Sequence, residues 1–460
     1  VTAPTPRPTI DPSATPDPAY LVNDFEYESD LDMFVPATGS YTEYASEQIS
    51  EIYNEGGIYG KVWKISQGGG WNAFNQRYLA DYNDMILSFD MKCDTIGEKA
   101  MIYVRAGEDG DSGYEVDIYN DRIAIQGNGL QEQTLSTLTT QRGAGWNSYR
   151  IICAGENLQV FMNGGLAAEF NGLNADLSGG IAFAGWRCTM YVDNIKTYFY
   201  TGGNSYRNDF EGEDALADFV PATGGYAEYA QYQISEIAEE GGDYGKVWKL
   251  GQGGGWNAFN QRYLADYSDM ILSFDMRCDN TDEKAMVYVR ADEGDGGFEV
   301  GIYNDRITIM GGGINQQTSP TLPTERGTGW NSYQIICTRE NVDVYMNGAL
   351  VAEFSGGDAE LSGGLGFAGW RCTTWYDNID AYFFDVDSAR TSFTLNHEDI
   401  TMSVGDMATL STIYDNLKYK QHNDTWISRN ESVAEVSSTG VITSKSPVTT
   451  TITVTNYDNK

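Results

Sequence analysis

Glu115 and Asp117 stand two residues apart in Tyr114 to Asn120, a run whose alternation reads as a strand, so both carboxylates fall on one face. Two carboxylates about 5 Å apart are the equipment of glycoside cleavage, where one donates a proton and the other attacks. The place of a third carboxylate is taken by Tyr119 and Asn120, and an equivalent run downstream reads Glu299, Val300, Gly301, without the middle one either. The expectation is exposed charge on a strand and no enzymatic activity. Serine or cysteine nucleophile chemistry needs a histidine base, and His397 and His422 both lie outside these regions. GQGGGW is glycine-rich but fits neither a phosphate loop nor a dinucleotide fingerprint.

A second kind of chemistry is better represented. Sugars stack their C–H faces on flat aromatic rings and exchange hydrogen bonds with planar polar side chains. The segment GGGWNAFNQRY supplies both, with Trp71, Asn72, Asn75, Gln76, Arg77 and Tyr78 as candidate binding residues. Three glycines before Trp71 favour a loop that holds the indole out. FAGWRCT offers Trp186 and Arg187 as a second candidate. Trp63 and Trp248, alternating with lysines, read as core, as do Trp146 and Trp330 at strand starts.

Both candidate segments occur twice. Gln67 to Tyr82 returns letter for letter as Gln252 to Tyr267, and FAGWRCT recurs with Trp370 and Arg371. The second binding set is therefore Trp256, Asn257, Asn260, Gln261, Arg262 and Tyr263. Two units of about 180 residues are too long for solenoid repeats and suit one domain each. We divide the chain into a Pro/Thr-rich linker at 1–19, repeats at 20–200 and 205–385, and a distinct segment at 388–460. The connection TGGNS between the repeats is short, so they are expected to touch.

Short aromatic and β-branched runs between Gly, Asn and Asp clusters read as strands, at least nine per repeat, and the class is all-β. Ala45 to Ile52 is the best helical candidate. Each repeat holds three cysteines, which allows buried thiols, one disulfide per repeat, or a bond between repeats. Acidic residues number 66 against 29 basic ones, a formal charge of -37. Such a surface repels nucleic acid and anionic lipid and favours an uncharged ligand. No membrane insertion is expected.

The elements LSFDM, WNSYRI, LQVFMNG and YVDNI resemble concanavalin A-like, jelly-roll lectin and glucanase domains. That resemblance implies two tandem β-sandwiches. In laminarinase-type members a Glu-x-Asp strand carries catalysis, and here the set is incomplete. In jelly-roll binding modules a Glu near the first strand and the Asp of a terminal DNI segment hold a structural calcium ion; Glu26 with Asp193 and Glu211 with Asp377 match those places. The last segment resembles the group 2 bacterial Ig-like domain through Val404, Gly405, Asp406, Trp426, Val433, Ala434, Val436, Gly440 and Val441. Ser446, Pro447 and Val448 replace its usual small-residue stretch, so an irregular edge strand is expected there.

The whole arrangement resembles the starch-adherence (amylosome) proteins of gut bacteria. It implies a secreted or surface-displayed, non-catalytic polysaccharide binder, one module of a larger assembly, gripping starch in a two-lobed groove. Another glycan (β-glucan, xylan or pectin), a protein-adhesive role and a glycosidase remain as alternatives.

Overall fold

The computed structural model describes residues 20–38, 48–67, 74–109, 112–135, 138, 140–223, 233–252, 259–294, 296–359, 361–384, 393–395, 400–410, 412–414, 425–437 and 440–455. The 1–19 linker lies outside them. The chain forms two compact units, and residues 22–386 make the larger one. Among the described residues there is no α-helix, hence none long and apolar enough to cross a membrane.

Each repeat is a sandwich of two antiparallel sheets. In the first lobe the smaller sheet runs in the order Leu130–Leu135, Ile123–Gly127, Tyr114–Ile118, Ala100–Ala106, Gly179–Gly185, Phe74–Tyr82, Val35–Pro36. The larger sheet runs Gln48–Gly56, Gly60–Gln67, Met190–Tyr200, Asp84–Cys93, Asn147–Ala154, Asn157–Met162, Gly165–Asn171. The second lobe repeats this plan. Alternation places one residue in two between the sheets: Ile102, Val104, Val116, Ile123, Ile125 and Phe183 from one, Leu87, Phe89, Met91 and Ile151 from the other, all buried.

Trp63 anchors that core, with ring centroids 4.4 Å from Phe34, 5.3 Å from Phe25 and 5.7 Å from Phe183. Its indole N–H donates to Ser50 Oγ at 2.9 Å, which satisfies the one polar atom it buries. Trp248 repeats the arrangement with Ser235. All six cysteines are buried free thiols.

Gly179 and Gly180 mark where the smaller sheet is tightest. A Cβ on Gly180 would stand 1.9 Å from the Tyr78 carbonyl oxygen, and one on Gly179 would meet the Arg105 backbone at 2.3 Å. Gly363 and Gly364 face the same obstruction in the second lobe. Of the helical candidate Ala45 to Ile52, the part from Gln48 on lies in the strand Gln48–Gly56, paired with Gly60–Gln67, and the rest lies outside the described residues. That ladder satisfies more backbone groups than one isolated helical turn would.

The lobes meet in two ways. At one edge Gly165 pairs with Ala349, so the two larger sheets join into one of 16 strands. The joined sheet folds back on itself, because residues four strands apart across that edge are in contact: Arg150 bridges Asp343 at 2.7 Å and donates to Tyr345 Oη at 2.8 Å. Gln334 donates to Gln159 at 3.0 Å. Ile86, Ile152, Phe161 and Tyr200 of one lobe and Ile271, Ile336, Tyr345 and Phe384 of the other are buried on these outer faces, with Tyr200 stacked on Phe384 at 4.2 Å.

The smaller unit includes 387–460. Met407–Thr409, Val441–Ser444 and Ala434–Val436 form one sheet, and Thr425–Ser428 pairs with Ile452–Thr455. Leu410, Ala434 and Ile442 form its core with Trp426 beside them. Gly440 sits at φ +78°, where a Cβ would meet the Leu410 carbonyl at 2.4 Å. Ser446 to Val448 form no strand; the Ser446 amide donates to the Val433 carbonyl.

Candidate functional site

The outer face of each smaller sheet gathers the polar chemistry of its lobe. In the first, alternation turns Met101, Tyr103, Glu115, Asp117, Gln126, Arg77 and Ala182 outward. Lys99, just before its strand, donates to Glu115 Oε1 and Asp117 Oδ2, both at 2.7 Å. Tyr103 Oη donates to the other Glu115 oxygen at 2.6 Å, and Gln126 adds a bond to Oε1 at 3.1 Å.

Glu115 and Asp117 are therefore not the exposed charges expected on a strand. Asp117 is 2% exposed, and its Oδ1 has no hydrogen-bond partner. Burial, then the hydrogen bond and charge of Glu115, push Asp117 up to about 8 against the pull of Lys99. Burial opposes ionisation of Glu115 too, but the bonds from Asp117, Lys99 and Tyr103 and the lysine charge hold it down at about 2. Near neutral pH the pair shares one proton.

Arg77, fully buried, lies over this floor with its guanidinium 5.0 Å from the buried Tyr103 ring, while Nη1 donates to the Gly107 and Ser112 carbonyls at 2.8 and 3.0 Å. Trp186 packs on Met101, Tyr103, Ala182 and Ala184. Arg187, exposed and at φ 51°, stands 5.6 Å from that indole. Tyr119, with Arg122 at 3.7 Å, borders the far side.

The second lobe keeps most of this. Tyr288 donates to Glu299 at 3.0 Å, Lys284 pairs with Glu299, Arg262 lies 4.2 Å over the Tyr288 ring, and Trp370 packs on Met286, Tyr288 and Ala368. Gly301 stands where Asp117 would, and Met310, 42% exposed, replaces Gln126. This face has lost its shared proton and gained apolar surface.

Several expected positions change role. Phe74–Tyr82 and Phe259–Tyr267 are strands inside the smaller sheets, not parts of loops, because each is hydrogen-bonded along both edges. Tyr78 points inward and stacks on Phe199 at 5.7 Å, and Tyr263 does the same on Phe383 at 5.9 Å. Gln76 and Gln261 are buried in register with Phe183 and Phe367. Gln76, Gln261, Arg77 and Arg262 are buried and Tyr78 and Tyr263 partly so, so none of the six stands in an open loop. Trp71, Asn72, Trp256 and Asn257 lie outside the described residues, as do the side chains of Asn75 and Asn260.

Trp146 and Trp330, expected in the core, are half-exposed stacking partners of Tyr59 at 4.1 Å and Tyr244 at 4.2 Å. Sequence reasoning missed Lys99, Tyr103 and Gln126. Tyr103 and Gln126 alternate with core residues on strands already recognised, which was the available signal.

Residues 28–197 and 206–381 each match the model of the 3-keto-alpha-glucoside-1,2-lyase-like domain, which covers well over half of the chain. The chain belongs to that family. Residues 389–460 match the bacterial Ig-like domain (group 2). A search of curated proteins matched none. Among solved structures the lyase-like lobes resemble a Bacillus subtilis protein of unknown function with a galectin-like fold, at 12% identity and TM-score 0.31, covering 41% of this chain and 100% of that one. The carbohydrate-binding module CBM66 from Bacillus subtilis is similar at 13% identity and TM-score 0.27, covering 36% and 95%. Crh5 transglycosylase is similar at 13% identity and TM-score 0.29, covering 41% and 87%.

The calcium expectation can be tested on the donors. Asp377 is 3% exposed, with Oδ1 unpartnered and Oδ2 accepting from Asn378 at 3.2 Å. Burial, with Asp275, Asp209 and Glu211 nearby, raises it to about 6 despite the Asn378 backbone bond. Glu211 Oε1 accepts from the Lys246 amide at 2.7 Å, and Lys61 Nζ donates to the Glu26 carbonyl at 2.8 Å. Asp193 is fully buried. Among the described residues no three acidic, Cys or His side chains are grouped to hold a metal. The Asp377 oxygen and its anionic surroundings are what a cation would satisfy; backbone carbonyls would have to complete the shell.

Proposed function

We propose that the two lyase-like lobes bind a neutral polysaccharide without cleaving it, with starch or another α-1,4-glucan as the preferred ligand. The observation that carries this is repeated in both lobes: a half-exposed tryptophan beside an exposed arginine at the rim of the outer face, next to a partly exposed lysine–glutamate pair that rests on a buried arginine–tyrosine stack. Rings and planar polar groups side by side suit pyranose units. The family description, an α-glucoside-acting type, supports a glucose-based ligand, and the charge of -37 disfavours a polyanion. Export to a bacterial surface within a larger assembly fits a chain that carries both a Pro-rich segment and an Ig-like one.

Trp186→Ala and Trp370→Ala should each retard less in gels cast with amylopectin, about 5- to 20-fold in affinity, and the double variant more. Equal retardation of all forms, or preference for xylan, β-glucan or pectin gels, overturns the starch assignment. One observation favours a second reading. The proton-sharing Glu115–Asp117 pair could act as acid and base on an α-glucoside in the first lobe alone. Release of sugar from maltooligosaccharides or a 3-keto-α-glucoside, abolished in Glu115→Gln, would establish that reading.

We also propose that calcium binds at Asp377 in the second lobe. Added calcium should raise that lobe's melting temperature and EDTA reverse it, with the effect weakening below about pH 6 as Asp377 protonates. Asp377→Asn should abolish the response; an unchanged response in that variant rules the site out.

A further inference from the structure

We infer that the two lobes hold separate polysaccharide chains on opposite sides of the molecule and so cross-link the polymer. The inference rests on the carbohydrate-binding reading above. The contacts that join the lobes come from the outer faces of the larger sheets: Arg150 to Asp343 at 2.7 Å, Phe161 against Tyr345 at 4.7 Å, Gln334 to Gln159 at 3.0 Å, and Tyr382 Oη to Asp84 at 2.7 Å. Each smaller sheet covers the inner face of its own larger sheet, through Trp63, Phe89 and Phe183 in one lobe and Trp248, Phe274 and Phe367 in the other. The order of layers is therefore smaller, larger, larger, smaller. With facing sheets about 10 Å apart, the two outermost faces are roughly 30 Å apart and point in opposite directions.

A single glucan lying flat on one face cannot reach the other without turning around the body of the protein. The expectation of one joint groove is thus replaced by two independent faces. They also differ in chemistry. The first has a buried Asp117 beneath a part-exposed Gln126, and the second Gly301 and exposed Met310 at the matching places. Two unequal sites facing apart gain nothing on a short oligosaccharide but link neighbouring chains in a polymer, where effective concentration multiplies retention.

The full chain would be titrated with maltoheptaose by calorimetry and mixed with soluble amylopectin while turbidity is followed. Two equivalents of maltoheptaose are expected, with affinities differing severalfold. Trp186→Ala and Trp370→Ala should each leave one equivalent and cut amylopectin turbidity at least tenfold. Arg187→Ala and Arg371→Ala, at exposed positions, serve as second variants should either tryptophan variant fail to fold. One equivalent weakened by both variants restores the joint groove and overturns the inference, as do two equivalents without turbidity. No binding of either ligand fails the carbohydrate reading itself, and the inference falls with it.

Discussion

At the scale of single residues, Asp117 shows how far a side chain's character depends on neighbours remote in sequence. On its strand it reads as surface charge; Lys99, Tyr103 and Glu115 bury it beside a second carboxylate and leave it protonated. Because its value in the fold lies above the usual carboxylate range, its contribution to stability is fully present below pH 4 and is lost as pH rises through about 8. Asp117→Asn needs no such proton. Between pH 6 and 9 the native protein should lose on the order of 1–3 kcal/mol of unfolding free energy that the variant retains, measured by denaturant melts at each pH. Parallel curves would show that no proton is shared.

At the scale of elements, hydrophobic alternation made most strands legible. LSFDM lies in the strand Asp84–Cys93, WNSYRI runs into Asn147–Ala154 and YVDNI lies in Met190–Tyr200. Phe74–Tyr82 escaped because its polar residues and the glycines before it read as a loop, whereas its strand character comes from neighbours on both edges. Gly180 makes one of those contacts possible. Gly180→Ala should cost about 2–4 kcal/mol, since a methyl group there meets backbone, the Tyr78 carbonyl and the Ala80 amide nitrogen, that cannot rotate away. Gly129→Ala, with open space around it, isolates the cost of positive φ and should lose about 1 kcal/mol. Equal losses in thermal melts would contradict the close approach.

At the scale of the whole molecule, the lobes behave as one body because their outer sheet faces are apolar in the middle and ion-paired around it. Removing one partner of the largely buried Arg150–Asp343 pair strands the other charge. Arg150→Ala should destabilise by about 2–4 kcal/mol, and Arg150→Met with Asp343→Leu should recover most of it. Full additivity of the two single losses would mean that the pair does not couple the lobes.

The chain's linear order alone determined that there are two equivalent β-sandwiches and an Ig-like segment, because duplication, strand alternation and turn residues are local properties. It also pointed to Trp186, Arg187 and their twins, which the structure places at the rim of the outer faces. Tertiary structure decided that Tyr78 and Tyr263 turn inward, that Lys99, Tyr103 and Glu115 form one polar floor, and that the lobes join through their larger sheets. Those outcomes depend on which strands become neighbours and which sheet face meets the other lobe, and period-two alternation is the same whichever face turns inward.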